Sequence, residues 1–572
     1  MISLPFLRKK QIKTKPLVLL VLDGFGLAPG SAGNAITLAK TPHYDSLVRD
    51  YPNTELIASG ESVGLPANEV GNTEVGHLTL GAGRVILQDL KKINLAIEKG
   101  SFYDNRAFLQ AASHVKKYSS KLHLLGLIGS GSVHSSMEHL YAALQFCKKE
   151  EINNVALHLF TDGRDAPPKE GVKIIEKLEK HLGVIKIGQI ASICGRYYAM
   201  DRDRRWERTE KAYKAIVEGL GKQAASAVEA VNTSYGLGQT DEFVEPTIVT
   251  GKTGPLAVVN DNDAVIFFNY RIDRPKQLTM AFTIPNFETV KTFDFGYDPD
   301  SSQKIGEVEI GKTFNRSKVP KNLFFVTMTE YHKNLPVSGV GYPPEIVEKP
   351  LSQILSESGL KQLKMSESEK ERFVTYYFNG LREAPFPGEE FEIVPSLKVA
   401  TYDKKPEMSL PKLVGEFVKQ ISRDEFNFAV INFANADMVA HSGDLKATIR
   451  AIEYVDKYMG ELTKAVMSQG GSVFITADHG NAEELISYPS TSFFYTSDAG
   501  TVNTDHSNNP VPLIIANALF KNKKVSLKKG ALADVAPSIL GFMGIKTPDV
   551  MTGKNLFVID QSNTAQIAQS PN

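Results

Sequence analysis

The sequence is poor in cysteine, in net charge and in long apolar runs, and each shortage excludes a class of protein. Cys147 and Cys194 are the two thiols in 572 residues. Two isolated cysteines cannot build a disulfide framework and fit a reducing compartment, so a cytoplasmic location is expected. Lys plus Arg and Asp plus Glu number 65 each, so the formal charge is zero. No global field attracts nucleic acid or an anionic membrane; neither is an expected partner, and any anion site must be built locally. The apolar run LVLLVL, residues 17–22, stops at Asp23. It is too short to span a bilayer and reads as a buried strand. The basic start MISLPFLRKKQIKTK has no small-residue cleavage site, and the polar end QSNTAQIAQSPN is expected to fray.

What is present is a globular composition, 42% hydrophobic and 23% charged. The length exceeds one core, so two domains of roughly 200–300 residues each are expected. Strand-length, nearly continuous apolar runs recur: PLVLLVLD, KLHLLGLIG, NVALHLF, GQIASICG, DAVIFFNY, NLFFVTMT, RFVTYYF, NFAVINFA, GSVFITAD and PVPLIIAN. Such runs suit parallel strands buried on both faces. Helical patterns lie between them at 169–182, 205–219 and 445–469. In the last, Ile449, Ile452, Val455, Met459, Leu462 and Val466 recur at helical steps. The alternation predicts an α/β architecture, with chemistry in the loops at the strands' carboxyl ends.

Asp and His residues mark those exits near the start and beyond 430, whereas arginines mark them between about 125 and 275. This contrast predicts one discontinuous domain built from both ends and a second domain inserted in the middle. Junctions are expected near 87–92 and 335–350, the latter in NLPVSGVGYPPE, a Pro/Gly-rich linker sequence. Residues 296–321 read as an exposed excursion.

Asp23, Asp437 with His441, Asp478 with His479, and His506 offer three oxygen and three imidazole ligands. That is enough for two divalent cations, and the mixture suits Mn²⁺ or Zn²⁺ better than Ca²⁺. A single Asp after a strand is commonly a cap or turn residue; the argument rests on four strand exits coinciding. Protonated imidazole cannot bind metal, so activity is expected to collapse as pH falls through the mid-sixes. The stretch GNTEVGH, 71–77, admits two readings: an Asn-Thr turn, or a Thr73 hydroxyl that a cation converts to a nucleophile, with Gly71 and Gly76 permitting close backbone approach. Arg164 and Asp165, Arg196 and Arg202, and Arg271 and Arg274 follow three strands and would converge on an anion, since the guanidinium fork matches phosphate and carboxylate. Arg204, Arg205 and Arg208 read instead as the polar face of a starting helix. In VHSSMEHL, Ser135 or Ser136 would cap a helix, and His134 stays ambiguous.

Taken in order, VLDGFG, GNTEVGHLTLGAGR, LHLLGLIGSGSVHS, TDGRDAPP, GRYYAMDRDRRWERTEKAY, DAVIFFNYRIDRPKQL, PKNLFFVTMTEY, PEMSLPKL, NFANADMVAH, TADHGNAE and NPVPLII resemble the motifs of the cofactor-independent (2,3-bisphosphoglycerate-independent) phosphoglycerate mutases of the alkaline phosphatase superfamily, from about Val18 to Phe557. The resemblance implies an alkaline-phosphatase-like metal domain from 1–88 and 345–572, with a transferase-like substrate domain, 89–344, inserted. It implies interconversion of 3- and 2-phosphoglycerate in glycolysis and gluconeogenesis by a monomer that needs no 2,3-bisphosphoglycerate. It assigns one cation, most readily Mn²⁺ with Zn²⁺ or Co²⁺ as alternatives, to Asp437, His441 and His506. A second goes to Asp23, Asp478, His479 and the nucleophile Thr73. His134, Arg164, Asp165, Arg196, Arg202, Arg271 and Arg274 would hold the phosphoglycerate, and Lys370 would sit by the nucleophile and phosphate.

The sequence departs from the family pattern in three places: Thr73 stands for its usual serine, Ser130 for an aspartate, and Glu371, Arg372 and Phe373 for Tyr-Ala-His. They keep two alternatives open, a metal-dependent phosphatase of the same superfamily and a catalytically weakened paralogue.

Overall fold

A computed structural model describes residues 16–294, 297–298, 303–304, 307–423, 425–487, 500–523 and 525–558. The two terminal tails therefore lie outside the described residues. The fold is α/β, and the chain forms two compact units. One runs to Gln88 and resumes at Glu345; the other is Asp89–Pro344. No helix among the described residues is long and apolar enough to cross a membrane.

The first unit is built on an eight-stranded sheet in the order Glu389–Val394, Gln362–Glu367, Phe428–Phe433, Leu17–Leu22, Ser472–Thr476, Val511–Ala516, Asn53–Ile57, Gly530–Ala531. The strands from Glu389–Val394 to Ser472–Thr476 pair in parallel. Val511–Ala516 runs antiparallel to both its neighbours. The central strands Leu17–Leu22 and Phe428–Phe433 are buried at every residue. That is why they read as nearly continuous apolar runs, because helices cover both faces of such a sheet. The helix Leu445–Ser468 starts at Asp444, whose side chain accepts from the Ala447 amide. It buries Ile452, Val455, Met459, Leu462 and Val466 against the core, with Ile449 half-buried at the edge of the stripe.

The second unit has a nine-stranded sheet. Along it Gly339–Tyr342, Phe324–Thr329, Ala264–Phe267, Leu122–Ile128, Val155–Thr161 and Gln189–Gly195 are parallel neighbours. Thr247–Gly251 then runs antiparallel to Gln189–Gly195.

Three local expectations are corrected. RFVTYYF is not a strand: Phe373–Tyr377 forms a wide helical turn, closed by the Phe378 amide donating to the Phe373 carbonyl at 3.0 Å. Phe373, Val374 and Phe378 face the core from it. A seven-residue run with five aromatic or aliphatic residues is too short for periodicity to separate strand from helix. Arg208 is not on a solvated face, for its guanidinium stacks over the Tyr197 ring and pairs with Asp201 at 3.3 Å. Lastly, 307–321 is more than an excursion. Ile310 and Phe314 are core residues, and the Trp206 indole N–H donates to the Ile310 carbonyl at 2.6 Å. Residues 295–296, 299–302 and 305–306 lie outside the described residues.

Candidate active site

The carboxyl ends of the first unit's parallel strands share one edge, and the antiparallel Val511–Ala516 begins there. Asp23 leaves Leu17–Leu22. Asp437 lies in the short helix Asn435–Ala440 after Phe428–Phe433, and His441 closes that helix. Asp478 and His479 follow Ser472–Thr476, Lys370 ends the turn Ser368–Lys370 after Gln362–Glu367, and His506 precedes Val511–Ala516. Thr73 opens the helix Thr73–Ala82, where the Asn72 side chain caps the Val75 amide at 3.0 Å. Both readings of GNTEVGH therefore describe the same residues: a capped helix start that also presents a hydroxyl. The bracketing glycines serve close approach. A Cβ on Gly76 would lie 2.6 Å from the Asp478 carbonyl oxygen, and one on Gly71 2.1 Å from that of Ala58.

These residues converge. The Lys370 ammonium donates to Asp23 Oδ1 at 2.9 Å, Asp437 Oδ2 at 2.8 Å and Thr73 Oγ1 at 3.1 Å. Thr73 Oγ1 is also 3.0 Å from His479 Nε2. His441 Nε2 and His506 Nε2 lie 3.3 and 3.4 Å from Asp437 Oδ1, and 3.2 Å from each other. Two groups of ligand atoms are close enough to share an ion in this way: Asp437 with His441 and His506, and Asp23 with Asp437 and His479. Asp478 forms a third such group with Asp23 and His77.

The donor set fits divalent cations on two grounds. First, the Nδ1 atoms of His441, His506 and His479 face the carbonyls of Thr504, Gly71 and Gly480 at 2.8, 2.8 and 3.2 Å. A ring with its N–H on a carbonyl turns a lone pair outward at Nε2, the arrangement of a metal-ligating imidazole. Second, Asp23, Asp437 and Asp478 are all within 2% of full burial and face one ammonium. Buried carboxylates in excess demand further positive charge. The same excess of buried negative charge governs how the site titrates. Burial opposes the charge on His479, but Asp478, Asp23 and Asp437 outweigh it and push its pKa up to about 10. Burial would raise Asp437, yet Lys370 and His441 hold it well below the usual carboxylate range.

In the second unit the anion-binding candidates follow adjacent parallel strands. His134 comes after Leu122–Ile128, Arg164 and Asp165 after Val155–Thr161, Arg196 after Gln189–Gly195, and Arg271 and Arg274 after Ala264–Phe267. Arg196 is buried and bonds Asp162 Oδ1 at 2.6 Å and Asp165 Oδ2 at 2.5 Å. His134 stands between Asp165 and Asp273 at 3.6 and 3.5 Å. Burial, with Arg196 and Arg271 beside it, pushes its pKa down to about 3. Asp273 faces Arg202 at 3.1 Å, Arg271 at 3.3 Å and Arg274 at 3.9 Å. Arg164 points toward Glu242 at 3.7 Å and is more than half exposed. Ser136, not Ser135, caps the helix Met137–Lys149, and the Ser135 hydroxyl donates to the Leu127 carbonyl. Ser130 is exposed, with its amide on Glu170 at 2.6 Å.

Sequence reasoning passed over the residues that hold this machinery in place. Asp162 binds the amides of Arg164 and Asp165 at 3.1 and 3.0 Å as well as Arg196. Asn432 donates to Asp23 Oδ2 at 2.8 Å, and Asn481 to Asp437 Oδ1 at 2.9 Å. A usable signal existed for Asp162 and Asp273, which lie one or two residues from the chosen arginines; for Asn432, inside an apolar strand, there was none.

A family model described as the N-terminus of BPG-independent PGAM matches residues 93–333. The chain is 43% identical over 544 residues to a 2,3-bisphosphoglycerate-independent phosphoglycerate mutase of Clostridium beijerinckii, covering 95% of this chain and 99% of that one. It is 46% identical over 547 residues to that of Thermomicrobium roseum, covering 95% and 98%. Among solved structures it is similar to the Leishmania mexicana phosphoglycerate mutase determined at low cobalt concentration, with a TM-score of 0.64 and 30% identity over 96% of this chain and 98% of that one.

Proposed function

The chain belongs to the 2,3-bisphosphoglycerate-independent phosphoglycerate mutases, which are isomerases, and from that premise we propose that it interconverts 3- and 2-phosphoglycerate through a phosphothreonine on Thr73. The observation that supports this most is the meeting of the Thr73 hydroxyl with Lys370, Asp23 and His479 at a helix N-terminus. Asp437, His441 and His506 would hold one divalent cation, and Asp23, Asp478, His479 and Thr73 a second. Bound there, Mn²⁺, Zn²⁺ or Co²⁺ would supply Lewis acidity that lowers the hydroxyl's pKa and offsets charge on the transferring group.

The remaining steps belong to the chain's own residues. The Thr73 oxygen attacks phosphorus in line as the ester bond to glycerate breaks, so the phosphoryl group passes to Thr73 and the proton lost from the Thr73 hydroxyl is made up on the departing glycerate oxygen. The Lys370 ammonium and the first amides of the Thr73–Ala82 helix stabilise its charge. His134, Arg164, Asp165, Arg196, Arg202, Arg271 and Arg274 retain the glycerate through its carboxylate and hydroxyls. Glycerate reorients, and its other hydroxyl attacks the phosphothreonine, restoring Thr73. Retention of glycerate separates a mutase from a phosphatase, and a set of seven polar residues in the second unit supports it.

The test is to incubate Mn²⁺-loaded protein with 3-phosphoglycerate, without 2,3-bisphosphoglycerate, and to follow 2-phosphoglycerate and free phosphate together. Isomer with little phosphate, abolished in Thr73→Ala, is expected. Phosphate without isomer would make the protein a hydrolase, and isomer formation by Thr73→Ala would remove the phosphothreonine.

A further inference from the structure

We propose that Glu483 is the positioning residue that sets the spacing between the two cation sites, an inference that rests on the metal assignment above. Its carboxylate is buried and belongs to neither ligand set. Oε2 accepts from the amides of Gly26 at 2.9 Å and Asn481 at 2.8 Å. Oε1 accepts from the Ser507 hydroxyl and from the Asn509 side-chain amide at 3.1 Å. These four donors come from three loops. Gly26 lies three residues beyond Asp23, Asn481 two beyond His479, and Ser507 next to His506. One carboxylate therefore ties together loops that bear ligands of both sites.

The fit leaves no room for an alternative. A Cβ on Gly26 would lie 2.2 Å from the Glu483 carboxyl carbon, and one on Gly480 2.3 Å from Oε1. The tie extends to Asp437 of the first cation site, since Asn481, whose amide Glu483 holds, donates its side chain to Asp437 Oδ1. The geometry also dictates which change is diagnostic. Two of the partners are backbone amides, which can only donate, and the Ser507 hydroxyl and the Asn509 side-chain amide donate here as well. Glu483→Gln keeps size and shape but either sets its NH₂ against the two backbone amides or makes Ser507 and Asn509 give up their donor roles. Removing a hydrogen-bonding support of metal ligands typically costs 10–100-fold in metal affinity.

Chelator-stripped full-length protein is titrated with Co²⁺ alone, reading the visible d–d band and the free Co²⁺ in competition with a chelator. The unfolding temperature of the stripped protein is measured alongside, with kcat and KM for 3-phosphoglycerate after loading. Glu483→Gln should weaken Co²⁺ binding at least tenfold, alter the band and lower kcat, while KM stays within about twofold because the arginine cluster is untouched. Asn509→Ala, which deletes one donor of the four, should act in the same direction and more weakly, and serves if the first variant does not fold. Co²⁺ affinity and band equal to wild type, even with a lowered unfolding temperature, would reduce Glu483 to a scaffold residue. If wild type itself takes up no Co²⁺, the metal assignment falls first and this proposal with it.

Discussion

Lys370→Met offers the sharpest test of the site's electrostatics. Methionine keeps the apolar stem but deletes the ammonium that bonds Asp23, Asp437 and Thr73 at 2.9, 2.8 and 3.1 Å. Both carboxylates are at most 2% exposed, so water cannot replace it. Burial opposes the charge on Lys370, but Asp23, Asp437 and Asp478 together raise its pKa, so the ammonium is present throughout the accessible pH range. Stranding one side of a buried ion pair costs roughly 3–5 kcal/mol. For a unit of about 300 residues the unfolding entropy is about 0.6 kcal/mol/K, so the chelated variant should unfold roughly 5–8 °C below wild type by calorimetry. Divalent cations neutralise the same carboxylates, so the gap should narrow in the loaded protein. Activity should not recover with it. The ammonium reaches the nucleophile oxygen, and loss of such a charge-stabilising donor costs about 10²–10³ in kcat. Chelated Lys370→Met unfolding within 2 °C of wild type, or loaded variant with kcat within threefold, would refute this account.

Gly76→Ala should destabilise the protein by roughly 1–3 kcal/mol in urea titrations and lower its metal content, because the new Cβ meets Asp478 at 2.6–2.7 Å. Helix propensity alone predicts a gain of about 1 kcal/mol, so the sign decides between the two. For His134, the folded pKa of about 3 lies below the unfolded value of about 6.5. Between them the unfolded chain binds more protons, so stability falls as pH falls through that window, by about 2 kcal/mol at pH 5. His134→Gln should flatten this part of the urea-stability profile between pH 7 and 5, and an unchanged slope would remove His134 from it. Metal content and activity should both fall as pH falls and be lost by about pH 5.5, because protons compete with metal for His441 and His479, whose pKa values the neighbouring carboxylates raise; metal analysis after gel filtration at that pH checks it.

Where one physical signal dominated, the fold was legible. Leu17–Leu22, Phe428–Phe433 and Ser472–Thr476 are buried on both faces, and their nearly continuous apolar runs announce both the strands and the exits where Asp23, Asp437 and Asp478 stand. Asn53–Ile57 and Glu389–Val394 lie toward the sheet margins and bury few residues, so their polar sequences gave no strand signal. The turn at Phe373–Tyr377 was misread for the opposite reason, an excess of apolar residues. Among polar groups, those aimed into the site by a strand exit could be nominated. Asn432 and Glu483 act by donating to or accepting from other loops, and such partnerships exist only after the loops have been brought together.

The first unit's sheet also orders events during synthesis. Leu17–Leu22 lies at its centre, yet its neighbours are Phe428–Phe433 and Ser472–Thr476. At about 5–20 residues per second, a ribosome needs roughly 20–80 s to add the ~400 residues between them. Every strand of the second unit's sheet lies between Leu122 and Tyr342, so that unit has its whole chain well before the first does. Throughout this interval an apolar strand waits with neither neighbour made, a standing invitation to chaperones and a hazard when they are scarce.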